Sequence, residues 1–367
     1  MGGDFPQSLR VRLTSCYNCP KDCHQAIKYP GRRIYFHKCY SKLTYLMAAY
    51  EDLRFNYEIL SLTQEYGLDG FSTPQVLAFG VELYNAGILT DSDLPGFPSD
   101  GAGRFYYLIE KIVRREGVGD ALANGVSLAA RQIGKGAEAF DHNTIKNVEQ
   151  LPIKLKHISY PYFLMYATGE KMTITQIEGS YPQAPEPDLE KRKQLVEGWE
   201  AAPERFKKWY LEWEPRTNPS IEATLNIVDW NETLHYVDDA IGMCSFLSSF
   251  GGQTGCRPPY HLYNLPTFVN LATGMNLDSD KLWEIGTRNR NLVRAINVRR
   301  GLRRADEKPP EDHWKVREPE TEQKLLDAYY EFKGWNNEGM PTKETLDKLG
   351  LEYVSEDLVR RGILPGN

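Results

Sequence analysis

With 367 residues, 41% of them hydrophobic and 26% charged, the chain is long enough to bury a sizeable core in two or three domains or subdomains. Its formal charge of −6 argues against a nucleic-acid binder, since no basic patch rises above the acidic background. No apolar run approaches the roughly 18 to 20 residues of a bilayer span, and no basic, apolar, small-residue leader opens the chain, so the expectation is a cytoplasmic protein with no transmembrane segment.

In chain order, residues 1–42 read as loop-rich, with "YPGRR" as a turn. Apolar positions then recur at three and four from Leu43 to Tyr66, which predicts a long helix closed by Gly67. "LDGFSTPQVLAFGVELYNAG" predicts a Ser72/Thr73 cap, Pro74 in the first turn and a helix to about Gly87. Two more helices are predicted near 103–116 and 119–133. Residues 145–182 are less periodic, and the proline- and charge-rich stretch of about 183–220 reads as a surface insertion. Helical pattern returns at 221–250, 280–300 and 321–333, the last capped by Thr321, and Pro341 opens another short helix. The fold class expected is mainly α, with one helical domain over 1–150 and a second over 151–367.

Six cysteines are too few for a disulfide scaffold in a chain of this length, and Cys16, Cys19 and Cys23 fall within "RLTSCYNCPKDCHQ". A CxxCxxxC run binds zinc or an iron–sulfur cluster. Structural zinc sites usually come as two paired knuckles, and no second pair exists here. A [4Fe–4S] cluster takes one thiolate per iron corner, which suits three cysteines from one loop and a fourth from far away, so the spacing favours the cluster. His24 is an alternative ligand, although a histidine in that position more often only supports the site. The fourth thiolate is Cys39, Cys244 or Cys256. Cys244 lies in "VDDAIGMCSF", where Asp239 can accept hydrogen bonds from a nitrogen-rich ring and Gly242 permits close backbone approach. Asp69, in "YGLDGFSTPQV", offers a second such acid before a helix, and its plainer role is a helix cap.

These blocks, with "RREGVGDALANGVSLAARQIGKG", "NLATGMNLDSDKLWEIGTRNRNLVRAINVRRG" and "LLDAYYEFKGWNNEGMPTKETLDKLGL", occur in the order seen in the tungsten-dependent aldehyde ferredoxin oxidoreductases. The chain resembles that family over nearly its whole length. The resemblance implies a tungsten bis-pterin (tungstopterin) beside a [4Fe–4S] cluster, between two mostly helical domains. It carries Cys16, Cys19, Cys23 and Cys244 over as cluster ligands, and Asp69, Asp239 and Gly242 as the pterin-binding turns. It also implies an N-terminal β-rich domain, to which nothing in this chain corresponds.

Two departures bear on substrate. Where aldehyde-oxidising members carry "ATxxRGxxH" this chain reads "YATGEKMTIT", which puts Thr175 at the histidine. After the cluster loop an acidic segment is replaced by "YFHKCYSKLTYL". That brings in Cys39, a soft thiolate suited to tungsten, and His37, a candidate proton donor that otherwise reads as a surface imidazole. Both departures resemble the class II benzoyl-CoA reductase branch of the family. The branch implies reduction of an aromatic CoA thioester to a cyclic diene, with electrons from an iron–sulfur subunit or a ferredoxin. The rivals are oxidation of an aldehyde to a carboxylate, and an iron–sulfur scaffold without catalysis.

Overall fold

The opening stretch is a sheet rather than loop. Arg10–Thr14 (β1), His24–Lys28 (β2) and Ile34–His37 (β3) pair antiparallel in that order, and "YPGR" makes the turn between β2 and β3, where the Arg32 amide donates to the Tyr29 carbonyl at 3.1 Å. Strands of four and five residues flanked by Cys, Pro and Gly carry too little alternation to stand out in the sequence. The computed structural model describes residues 9–20, 22–37, 53–150, 155–169, 188–199, 204–212, 214, 219–244 and 260–366. It divides into one unit of Met1–His157 with Pro309–Arg317, and another of Ile158–Lys308 with Glu318–Asn367.

In the first unit the sheet packs one face on Leu53–Tyr66 (α1), where Ile27, Tyr29, Tyr35 and Tyr57 form a small aromatic core. Ser72–Asn85 (α2), Gly101–Arg114 (α3), Val118–Leu122 (α4) and Val126–Ile133 (α5) follow. Leu77, Leu83 and Leu108 are fully buried in their shared core. Each such side chain stabilises by about 1.5–3 kcal/mol relative to exposure, so this apolar face outweighs the modest helix propensity of the Val and Phe residues in α2. The helix expected over 119–133 is two helices, because the chain restarts at Gly125. There the buried Glu149 carboxylate, from the short hairpin of Thr144–Ile145 (β4) and Val148–Glu149 (β5), accepts from the Val126 amide at 2.6 Å. Burial raises the pKa of Glu149, and the Val126 amide acts against that rise.

The nine residues Pro309–Arg317 belong to this unit through Asp312. Its carboxylate accepts from His142 at 2.8 Å, Lys156 at 2.9 Å and Lys315 at 2.9 Å. Burial works to raise the Asp312 pKa, but these three partners together hold it well below the ordinary carboxylate range.

The second unit is built on Ile221–Ile241, which follows Tyr160–Thr168 (α6), Leu189–Glu197 (α7) and Glu204–Leu211 (α8) and is here α9. Within the stretch read as a surface insertion, α7 and α8 bury Val196 and Tyr210 against Trp230, Leu234 and Trp283. Tyr260–Thr273 (α10) and Ser279–Arg299 (α11) come next. The α9–α11 crossing is close because Gly286 has no side chain: a Cβ there would lie 2.6 Å from the Thr233 carbonyl oxygen. Pro319–Lys333 (α12), Lys343–Lys348 (α13) and Glu352–Arg360 (α14) complete the unit. Thr321 does not cap α12. Pro319 starts that helix, and the Thr321 hydroxyl donates to Glu318 instead. The short helix expected from Pro341 begins two residues later, at Lys343, with Thr342 as its cap. Among the described residues the architecture is mainly α, and no helix is long and apolar enough to cross a membrane.

Candidate cofactor site

The cysteine run is the loop between β1 and β2. Thr14 and His24 are paired directly across the ladder, so the loop ends are held together and Cys16 and Cys23 stand at its two feet. Inside it the Cys19 amide donates to the Cys16 carbonyl at 3.0 Å, and Asn18 takes a left-handed conformation, φ 56°, which asparagine tolerates better than most residues. Cys16 is exposed, and Cys19 and Cys23 are half-buried. His24, buried, brings Nε2 to 3.7 Å from the Cys16 sulfur, a contact of the kind that tunes a cluster through hydrogen bonds to its ligands.

Among the described residues no three His, Cys, Asp or Glu side chains gather closely enough to hold a single metal ion. A four-iron cluster asks for something wider, since each thiolate takes its own iron corner. Three soft donors on one pinned, accessible loop suit that requirement.

Cys244 belongs to the second unit and is also exposed. It follows the end of α9, where the Gly242 amide donates to Asp239 and the Met243 amide to Asp238 at 2.8 Å. Gly242 closes the helix at φ 72°, ψ 26°, and among the described residues a Cβ there would meet nothing within 4 Å. The glycine is therefore set by backbone conformation. Asp239 is exposed at the same helix end.

Asp69 is likewise exposed, and its Oδ1 accepts from the amides of Phe71 at 2.9 Å and Ser72 at 2.6 Å. This aspartate opens α2. Neither Ser72 nor Thr73 caps it, since both lie inside the helix. His37 is no surface imidazole: it is fully buried, its Nε2 lies 2.8 Å from the Ser61 hydroxyl, and its ring stacks on Tyr57 at 5.3 Å and 4°. Cys39, Thr175 and Cys256 lie outside the described residues.

Sequence reasoning missed the polar core of the second unit. Arg290 on α11 donates Nε to Glu232 at 2.9 Å and Nη2 both to the Thr168 carbonyl at 2.9 Å and to the Tyr329 hydroxyl at 3.0 Å. Tyr329 in turn donates to Glu232 at 2.8 Å, and Lys333 pairs with Glu232 and Asp229. Arg294 pairs with Glu307, and both guanidiniums lie over the Trp335 ring, at 4.8 and 4.5 Å. The signal was present: Leu282, Gly286, Arg290 and Arg294 share a helical face at spacings of four, and two arginines on an apolar face ask for buried acids.

The chain matches the family described as "Aldehyde ferredoxin oxidoreductase, domains 2 & 3" over residues 3–351. It is 27% identical to the tungsten-containing aldehyde ferredoxin oxidoreductases of Thermococcus kodakarensis and Pyrococcus furiosus, over 93% of this chain and 53% of each relative. It is 25% identical to the WOR-like subunit of an aliphatic sulfonate oxidoreductase of Pyrococcus furiosus, over 82% of this chain and 43% of that one. Among solved structures it resembles a chain of the "Active site complex BamBC of Benzoyl Coenzyme A reductase in complex with 1,5 Dienoyl-CoA", with TM-score 0.84 and 52% identity over 98% of this chain and 56% of that one. The chain thus spans about half the length of the relatives it matches.

Proposed function

Because the chain belongs to the aldehyde ferredoxin oxidoreductase family, we infer that it is part of a tungstopterin oxidoreductase that reduces the aromatic ring of benzoyl-CoA to a cyclic dienoyl-CoA. The observation that carries this reading is the 52% identity to the benzoyl-CoA reductase chain over nearly all of this one, against 27% to the aldehyde-oxidising relatives. The change of the family's histidine to Thr175 and the presence of Cys39 support the same branch.

The residues suit the cofactors. Cys16, Cys19, Cys23 and Cys244 would hold a [4Fe–4S] cluster, and Asp69 and Asp239 would each accept from a pterin ring, with Gly242 leaving room for it. When bound, the tungstopterin and the cluster supply low-potential electron transfer. The protein's share is to exclude water, orient the ring and deliver protons. His37 suits proton delivery because the Ser61 hydroxyl and the Tyr57 ring fix its orientation. It ends β3 two residues before Cys39, the candidate thiolate on tungsten.

The reading is tested in an enzyme completed with the part of the family's polypeptide that this chain does not cover. Dienoyl-CoA formation from benzoyl-CoA with a low-potential donor is the expected result, and aldehyde oxidation without ring reduction would overturn it. The isolated 367-residue chain is expected to carry tungsten well below one atom per chain, and co-expression with the uncovered part should raise that content. A completed enzyme with iron but no tungsten would leave only the scaffold role.

Asp69 separates its two roles by substitution. Asp69→Asn keeps an oxygen for the Phe71 and Ser72 amides, so thermal stability is expected to stay near wild type, whereas Asp69→Ala costs about 1 kcal/mol. Both are expected to lose tungstopterin, because the carboxylate charge is gone from each. Full tungsten content in Asp69→Asn would reduce this residue to a helix cap.

A further inference from the structure

We propose that Glu149 and the Ser72 hydroxyl are positioning residues for the tungstopterin, fixing the turn before α2 so that Asp69 presents one free carboxylate oxygen to a pterin ring. The proposal rests on the reading that this turn binds the pterin.

Asp69 is oriented by the backbone that follows it. The amides of Phe71 and Ser72 both donate to Oδ1, and the Thr73 amide donates to the Asp69 carbonyl at 3.1 Å. Among the described residues Oδ2 accepts from nothing, so it is the oxygen left for an outside donor. Where this exposed carboxylate points therefore depends on where those two amides point.

The amides are held from behind by the β4–β5 hairpin. The Ser72 hydroxyl donates to the buried Glu149 carboxylate, whose Oε1 also takes the Val126 amide at 2.6 Å. Ser72 opens α2 and Val126 opens α5, so a single carboxylate serves two helix N-termini, where unpaired amides favour negative charge. Gly125 makes room for it, since a Cβ there would lie 2.9 Å from Glu149 Oε1. One turn along α2, the buried Gln75 repeats the grip. Its amide nitrogen donates to the Gln150 carbonyl at 2.9 Å and to the Phe71 carbonyl at 3.2 Å, and its oxygen accepts from Asn143 at 2.5 Å. Burial raises the Glu149 pKa, and the Val126 amide, the amide of Glu149 itself and the Ser72 hydroxyl oppose that rise, as donors gathered on a buried anion do. A carboxylate that only capped α5 would need no link to Ser72.

The test compares Ser72→Ala with Ser72→Thr in the completed enzyme, because Glu149→Ala strips a buried helix start of its acceptor and can unfold the unit. Ser72→Ala keeps the Ser72 amide and the bond between Glu149 and Val126, so its melting temperature is expected to stay within about 2 °C of wild type. Its tungsten content is expected to fall, with bound tungstopterin lost about tenfold faster on dilution, the usual effect of removing a group that supports a ligand. Ser72→Thr restores the hydroxyl and should return both to wild type. In the isolated chain the Phe71 amide should exchange about tenfold faster in Ser72→Ala, while exchange of the Val126 amide is unchanged. Wild-type tungsten retention in Ser72→Ala would overturn the proposal and leave Glu149 as a cap of α5 alone. So would unchanged Phe71 exchange, a tungsten loss that Ser72→Thr does not repair, or a melting temperature lowered by more than about 5 °C, which would make the loss one of folding. Full tungsten content in Asp69→Asn would instead overturn the pterin reading of the turn, and the proposal with it.

Discussion

Cys244→Ala is expected to drop the iron content of the completed enzyme from about four atoms per chain to about three or fewer, and to abolish the EPR signal of the reduced cluster, since a cluster deprived of one thiolate releases the iron at that corner. Cys256→Ala should leave both unchanged. The substitution is a clean one because Cys244 is exposed beyond the end of α9, so removing its sulfur opens no cavity in the core and any loss of stability traces to the cluster. Cys16→Ala should give the same loss of iron from the hairpin side. A cluster that survives Cys244→Ala and disappears in Cys256→Ala would reassign the fourth ligand.

The second large effect is on stability. Arg290→Ala is expected to destabilise the protein by about 3–5 kcal/mol, because it empties the buried volume of the guanidinium, leaves the Thr168 carbonyl without its donor, and strips Glu232 of one of the two cations that offset its buried charge, Lys333 being the other. Denaturant unfolding followed by the fluorescence of Trp230, Trp283 and Trp335 measures it. A loss under about 1 kcal/mol would mean that water replaces the guanidinium, and the network would then be dispensable.

The same network sets a pH window. Burial pushes the Glu232 pKa up, but Lys333 and Arg290 together hold it below its ordinary 4.5. Its folded value lies below its unfolded one, so its contribution to stability is complete above about pH 4.5 and is lost as the pH falls through the lower folded value. Lys333 runs the other way. Burial lowers its pKa, and Asp229 and Glu232 more than reverse that, so its contribution is present below its ordinary 10.5 and is lost as the pH rises through the raised folded value. Glu232→Gln should remove this carboxylate's share of the acid limb and leave the share of Asp312, which its own partners hold low.

The helices were legible where their signals are local. Pro74 and Gly87 bracket α2, and the recurrence of apolar positions at three and four in α3 places Phe105, Leu108, Ile109 and Ile112 inside. Signals that close over distance were not legible. Glu149 serves an amide 23 residues away, and Asp69 does the work that Ser72 and Thr73 advertise. The three cysteines announced soft-metal chemistry, but the hairpin that pins them is set by cross-strand pairing of Thr14 with His24, which no short window contains. His37 read as a surface residue because one imidazole in a short strand carries no mark of the helix that covers it. Arg290 and Arg294 interrupt an otherwise apolar face, so periodicity alone understated how much of α11 is buried.

The excursion of Pro309–Arg317 also bears on how the protein can be dissected. The first unit is not a continuous stretch of chain, and an expression fragment ending at His157 would lack Asp312. His142 and Lys156 would then keep their positive or polar ends without the carboxylate that gathers them. A fragment beginning at Ile158 would carry that carboxylate away from the groups it serves. A useful dissection would graft residues 309–317 back onto the shorter piece through a flexible linker.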